Sequence, residues 1–333
     1  MIAIDVPIVQ APMAGGPSTP ELAAAVTGAG GLGFVAGGYL SADDLSARIR
    51  RTRELTAAPF GVNVFAPSAP GDESEIADYA RRLEPEALRL GAALGRPIWD
   101  DDEYHDKLAL AAAERVALLS FTFGCPTSAE VDALRAAGVE VAVTVTSVAE
   151  AEQATAAGAD AVVAQGIEAG GHQGSFLDLA RNETSMLDLV REVRAASKLP
   201  VVASGGLMTG ADVQAALDAG AFAAQLGTAF LLCPEAGTSP VYRSALADSS
   251  ETTITRAFSG RYARGLVNRF AREYSPFAPQ AYPEIHHLTR PLRVAATAAG
   301  DADVPNFWAG TGWRQARAEP AAEVVSRIAA DLR

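Results

Sequence analysis

The sequence predicts an α/β chain folded as a (β/α)8 TIM barrel, with a C-terminal extension forming a small subdomain over the barrel mouth. Three observations carry that prediction. Eight short runs rich in Val, Ile, Leu and Ala alternate with Ala-rich stretches of roughly ten to fifteen residues at helical spacing. The runs lack polar alternation, which marks strands buried on both faces, as in a parallel sheet. An Ala-Gly pair closes four of the helical stretches, at residues 29–30, 137–138, 157–158 and 219–220, where glycine suits the left-handed residue that ends a helix.

Taken in order, the strands are expected at residues 7–12, 32–37, 60–65, 117–121, 139–145, 161–165, 200–204 and 223–230. Helices are expected at 20–29, 42–56, 128–137, 148–157, 186–197 and 211–219. Two segments break the rhythm. Pro67 to about His105, acidic and helical, follows the third strand, and Pro234 to about Arg293 follows the eighth. Post-strand segments of such a barrel lie on its C-terminal face, where active sites are built. Both therefore read as elaborations of that face. Residues 320–332 alternate apolar and charged side chains at helical spacing and read as a helix packed outside the barrel. The expected division is a core of residues 1–233 and an extension of 234–333.

Composition removes several function classes. The 333 residues hold 27 Lys and Arg against 40 Asp and Glu, a net charge of −13. That balance argues against nucleic acid, which needs cations to neutralise phosphates, and against anionic membrane surfaces. With 49% hydrophobic and 20% charged residues the chain is not a disordered one. Met1-Ile2-Ala3-Ile4-Asp5 has no basic stretch of the kind that opens a signal peptide. The longest uncharged window, residues 22–42, contains six glycines and reads as helix, turn and strand, not as a membrane span. Cys125 and Cys233 make neither a disulfide framework nor a metal spacing. The expectation is a soluble, cytoplasmic protein without a metal site.

Candidate chemistry gathers at strand ends. Ser204-Gly205-Gly206 follows the seventh strand and Gln225-Leu226-Gly227-Thr228 sits in the eighth. Backbone N–H groups at such turns hold a phosphate without a basic side chain, and neither segment contains Lys or Arg. Gln165-Gly166-Ile167-Glu168-Ala169-Gly170-Gly171-His172-Gln173-Gly174 forms a glycine-rich loop around one histidine, a group suited to acid, base or hydrogen-bonding work. Gln10-Ala11-Pro12-Met13-Ala14-Gly15-Gly16 ends the first strand, where glycine lets a planar ligand approach the backbone. Asn63 sits inside the apolar run Gly61-Val62-Asn63-Val64-Phe65 and needs partners, from a ligand's polar edge or from the protein itself. Gly28-Ala29-Gly30-Gly31-Leu32-Gly33 looks like a dinucleotide fingerprint but precedes its strand, so it is rejected. His286-His287 lacks carboxylates at metal-ligand spacing apart from Glu284.

Together, the segments at 10–16, 61–65, 165–174, 204–206 and 225–228 resemble the nitronate monooxygenases, or 2-nitropropane dioxygenases. The tail, with His286-His287-Leu288-Thr289-Arg290-Pro291-Leu292-Arg293 and Phe307-Trp308-Ala309-Gly310, looks like the first class of that family. One departure is Gln173, where many relatives carry Arg. The resemblance implies one non-covalent FMN. Ala11, Pro12 and Met13 would border the isoalloxazine, while Asn63, Gln165 and the Gly170-Gly171 pair would hold its polar edge or ribityl chain. Gly205, Gly206, Gln225, Gly227 and Thr228 would bind the phosphate, and His172 would face the substrate as base or as orienting group. The implied reaction oxidises an alkyl nitronate with O2 to a carbonyl compound and nitrite. Flavin-dependent enoyl reductases share the loop and the phosphate segments, so NAD(P)H-driven reduction of an enoyl thioester or quinone is the alternative. A flavin-binding protein without turnover is a third. Tyr242, Tyr262, Tyr274 and Tyr282, with His286 and His287, are expected over the barrel mouth.

Overall fold

A computed structural model describes residues 4–332. Eight parallel strands form the central sheet: β1 Ile8–Gln10, β2 Phe34–Ala36, β3 Gly61–Phe65, β4 Leu118–Thr122, β5 Glu140–Val145, β6 Ala161–Gln165, β8 Val201–Ser204 and β9 Ala223–Leu226. Their order, β1-β9-β8-β6-β5-β4-β3-β2, brings the ends of the sheet together. A single parallel bridge, Val9 to Leu32, joins those ends, with Leu32 N donating to Ile8 O at 2.9 Å and Gln10 N to Leu32 O at 2.9 Å. The expected (β/α)8 barrel is present. Gly33 lets the neighbouring helix pack close beside this seam: a Cβ there would lie 2.0 Å from the carbonyl oxygen of Ala23 on that helix.

The barrel helices are α1 Pro20–Gly28, α2 Ala42–Leu55, α4 Tyr104–Ala113, α5 Ser128–Ala136, α6 Val148–Ala157, α7 Met186–Ala196, α8 Gly210–Asp218 and α12 Ala321–Ala330. Most start on a side-chain cap, such as Thr19, Ser41, Ser147 or Ser185 accepting from an N–H of the first turn. The four Ala-Gly corners end helices as expected, with φ of +89°, +83°, +91° and +104° at Gly30, Gly138, Gly158 and Gly220. Strand residues divide by parity. Val9, Leu118, Ala142, Ala161, Val163, Val202 and Ala223 fill the barrel interior, while Ile8, Leu119, Val143, Val162 and Ala203 pack against the helices.

One expectation needs correction. The eighth strand, expected over residues 223–230, stops at Leu226, and Thr228–Phe230 forms a 3-10 turn instead. The uncharged window at 22–42 is helix α1, a turn and β2, as expected, and no helix among the described residues is long and apolar enough to cross a membrane.

A second layer covers the C-terminal face. Helix α3 Glu73–Leu90, from the segment after β3, packs its Ile76, Tyr79 and Leu83 against Phe258, Ile285, Leu288 and Leu292. The last three belong to α11 Glu284–Ala298. A small antiparallel sheet joins β7 Gly171–His172, β10 Thr252–Thr255 and β11 Ala263–Leu266 in the order β10-β11-β7. Helices α9 Pro240–Asp248 and α10 Arg269–Tyr274 flank it. The hairpin thus sits directly on the histidine loop.

Candidate active site

A cleft of about 1130 Å³ opens at the C-terminal ends of the barrel strands, and His172 and every cofactor-binding residue expected from the sequence line it. The wall at the end of β1 is held by Gln10. Its side chain accepts from Phe34 N at 2.9 Å and donates to Ser18 Oγ at 2.9 Å; that hydroxyl accepts from Met13 N at 2.8 Å. Ala11 N donates to Leu226 O at 2.8 Å. Ala11, Pro12 and Met13 are therefore fixed before any ligand arrives.

Asn63 is buried, and its amide nitrogen donates to Ser120 O, Ser120 Oγ and Thr122 Oγ1 at 2.9–3.1 Å. The protein supplies those partners, while Oδ1 receives no hydrogen bond among the described residues. Gln165 clamps the histidine loop: its Nε2 donates to His172 O at 3.0 Å and its Oε1 accepts from Gly174 N at 2.7 Å.

The glycine segments after β8 and β9 form a cradle. Gly205 and Gly206 have φ of +134° and +71°, and a Cβ on Gly206 would come within 2.9 Å of Glu168 Cβ. The N–H groups of Gly206, Gly227 and Thr228 donate to no group among the described residues. Gln225 Nε2 reaches Ser204 Oγ at 3.5 Å, and Thr228 Oγ1 accepts from Gly310 N at 3.0 Å. The tail thereby threads back into the site. A Cβ on Gly170 would sit 2.5 Å from Gly310 N, so two glycines permit this approach.

His172 stands on β7, paired with Ala263 of β11. Its ring meets Phe123, Tyr282 and Trp308 edge-on at centroid distances of 5.6, 5.7 and 5.3 Å. Its Nε2 lies 2.7 Å from the buried Ser259 hydroxyl. Burial, then the charges of Arg261 and Arg293, push its pKa down to about 3, so the imidazole is neutral at physiological pH. Gln173 turns away from this ring and exchanges two hydrogen bonds with the Asn182 backbone, at 2.8 and 2.9 Å. The charge beside His172 comes from elsewhere: Arg261 is 1% exposed, covers the Phe123 ring at 4.2 Å and donates to Gln173 O at 3.2 Å and to Ser175 O.

Sequence reasoning missed Arg261, Arg293, Ser259, Tyr39 and Phe123. Among the described residues Arg293 bonds only neutral groups: Thr289 Oγ1 at 3.1 Å, Asn306 Oδ1 at 2.7 Å, and His286 at its carbonyl oxygen, 3.0 Å, and Nδ1, 3.3 Å. Burial lowers its pKa to about 10, which leaves it a cation without a carboxylate partner on the cleft wall. His286 stacks on Tyr39 at 4.1 Å and is held neutral by burial and by Arg293. Tyr39 and Phe123 both carry positive φ, +67° and +79°, a strained geometry that clusters at functional sites. Of the four tyrosines expected over the mouth, Tyr242 and Tyr282 line the cleft. Tyr262 lies under Arg256 at 3.8 Å and Tyr274 packs against Phe270 at 4.6 Å, outside it.

A family model described as nitronate monooxygenase matches residues 1–331. A nitronate monooxygenase of Pseudomonas aeruginosa is 43% identical over 100% of this chain and 98% of its own length. One of Paraburkholderia phytofirmans is 41% identical over 100% of this chain and 94% of its own. A solved structure of nitroalkane oxidase from Streptomyces ansochromogenes superposes with a TM-score of 0.96 at 50% identity, covering 99% of this chain and 96% of that one. FabK from Thermotoga maritima is more distant, with a TM-score of 0.77 at 29% identity, covering 98% and 93%.

Proposed function

The chain belongs to the nitronate monooxygenase family of flavin-dependent oxidoreductases, and we propose that it oxidises alkyl nitronates with O2 to a carbonyl compound and nitrite, using one non-covalent FMN. The free N–H groups of Gly206, Gly227 and Thr228, in a cradle that a side chain at Gly206 would fill, suit a phosphate monoester dianion. A single phosphate locus, with no dinucleotide motif after a strand, favours FMN over FAD. In this reading residues 1–233 are the FMN-binding core, with Ala11, Pro12, Met13, Asn63, Gln165, Gly170, Gly171 and Gln225 around the cofactor. Residues 234–333 are the extension that shapes the substrate side. The bound flavin supplies the electron chemistry.

The observation that carries the substrate assignment is the cleft wall itself. Arg293, a cation without a carboxylate partner among the described residues, lines the cleft beside a neutral His172, with the buried Arg261 behind it, although the chain carries a net charge of −13. Such a wall favours an anion such as a nitronate. The enzyme works in the cytoplasm on this reading, with Cys125 and Cys233 as free thiols. The test is to add an alkyl nitronate in air to the purified yellow protein and measure nitrite and carbonyl product. Stoichiometric release that stops when heat-extracted FMN is removed supports the reading; a protein that holds no FMN, or holds it and releases no nitrite, refutes it.

A further inference from the structure

Ser259 lies in the turn between β10 and β11, and nothing in the family comparison assigns it a role. The turn is pressed onto the chain at residue 281 through Gly260, whose φ is +80° and where a Cβ would lie 2.2 Å from Ala281 O. Ala281 N returns a hydrogen bond to Gly260 O at 3.1 Å. The next residues continue into β11, whose Ala263 pairs with His172, and Gln173 N donates to Tyr262 O at 2.8 Å. Ser259 is 2% exposed, and its position relative to the imidazole is thus fixed by backbone on both sides.

The hydroxyl has one hydrogen and two neighbours. It lies 2.7 Å from His172 Nε2 and 3.3 Å from Arg261 O. The Arg261 carbonyl belongs to a residue 1% exposed, and Ser259 is the donor it has among the described residues. Were the serine proton given to Nε2, that buried carbonyl would lose its donor. The chain Nε2–H to Oγ–H to O=C satisfies all three groups at once. It leaves Nδ1 without a proton, and Nδ1 receives no hydrogen bond from the described residues, on a ring that lines the cleft.

We propose that Ser259 is a positioning residue that fixes His172 in its Nε2–H tautomer, so that the Nδ1 lone pair is the edge offered to substrate. A lone pair accepts the α-proton of a neutral nitroalkane, and it donates nothing to the oxygens of a preformed nitronate. The C–H bond breaks, its electron pair stays on the substrate as the nitronate, and the proton moves to Nδ1. The three aromatic edges around the ring restrict the alternative of rotating it. The activity arm of this proposal rests on the function proposed above; the tautomer arm does not.

The experiment is nitrogen NMR of the FMN-bound protein labelled at its 4 histidines, with His172 assigned by loss of its signals in His172→Asn. Expected is a proton on Nε2 and a bare Nδ1. Ser259→Ala should populate the other tautomer and lower the rate with neutral nitroalkane about tenfold, the worth of one hydrogen bond. The rate with nitronate should stay within about twofold. Ser259→Thr, which keeps the hydroxyl, should restore both signature and rate. A wild-type His172 protonated on Nδ1 overturns the proposal, as does a Ser259→Ala protein with wild-type signature and rate. If neither substrate is turned over by wild type, the proposed function fails, and the NMR result still decides the tautomer.

Discussion

Replacing His172 with Asn should make the protein less sensitive to acid. The folded structure holds this imidazole at a pKa of about 3, by burial first and then by Arg261 and Arg293. An unfolded histidine titrates near 6.5. Between those values the unfolded chain binds a proton that the folded chain refuses, so stability falls as pH drops below about 6.5 and keeps falling towards 3. From pH 7 to pH 5 the linkage relation assigns this single group a loss of about 2 kcal/mol. Asparagine does not titrate, so the variant should be spared that loss, while His286 contributes equally to both proteins. The assay is urea unfolding of wild type and His172→Asn at pH 7 and pH 5, with FMN saturating throughout. Wild type should lose about 2 kcal/mol more than the variant over that interval. Equal losses in the two proteins would mean that His172 is not held neutral by its surroundings, and the electrostatic reading of the cleft wall would fall.

Three further outcomes follow from the geometry. His172→Ala should slow oxidation of a neutral nitroalkane by the roughly 10²–10⁴-fold typical of losing a general base, and that of a preformed nitronate far less, since Nδ1 donates it no hydrogen bond, read as anaerobic flavin reduction. Equal large losses would make the residue an orienting group. Gly206→Ala puts a Cβ at φ +71°, 2.9 Å from Glu168 Cβ, and should lower FMN occupancy about tenfold or more, measured as the flavin-to-protein ratio. Full occupancy would remove that turn from the cofactor site. Tyr282→Leu, which alters the ring against His172, should raise KM several-fold while FMN content stays full; flavin loss in a folded variant would contradict it.

The barrel was legible because its strands are buried on both faces, so Val62-Asn63-Val64 or Val201-Val202-Ala203 read as runs without alternation. The four Ala-Gly corners were legible because each needs positive φ. The site segments were legible as glycines where a strand ends. The end of β9 was not: Ala229, Phe230 and Leu231 are as buried as a strand, and apolar periodicity does not distinguish a buried strand from a buried turn. The hairpin over the site was not legible either. β7 is two residues long, and its partner lies some ninety positions away, so no local pattern announces the pairing. Arg261 and Arg293 read as solvated charges in a sequence of 27 cations, and only tertiary packing turns them inward. The positive φ of Tyr39 and Phe123 has no sequence signal at all.

The most direct test is a comparison of electron donors under anaerobic conditions. The FMN-bound protein is mixed in a stopped-flow cell with an alkyl nitronate in one experiment and with NADPH or NADH in the other, and the flavin absorbance is followed. The account predicts rapid bleaching by the nitronate, with little or none by the nicotinamides on that timescale. Flavin that is bleached by NAD(P)H and left oxidised by the nitronate would contradict it, and would assign the cleft to reduction of an enoyl thioester or quinone.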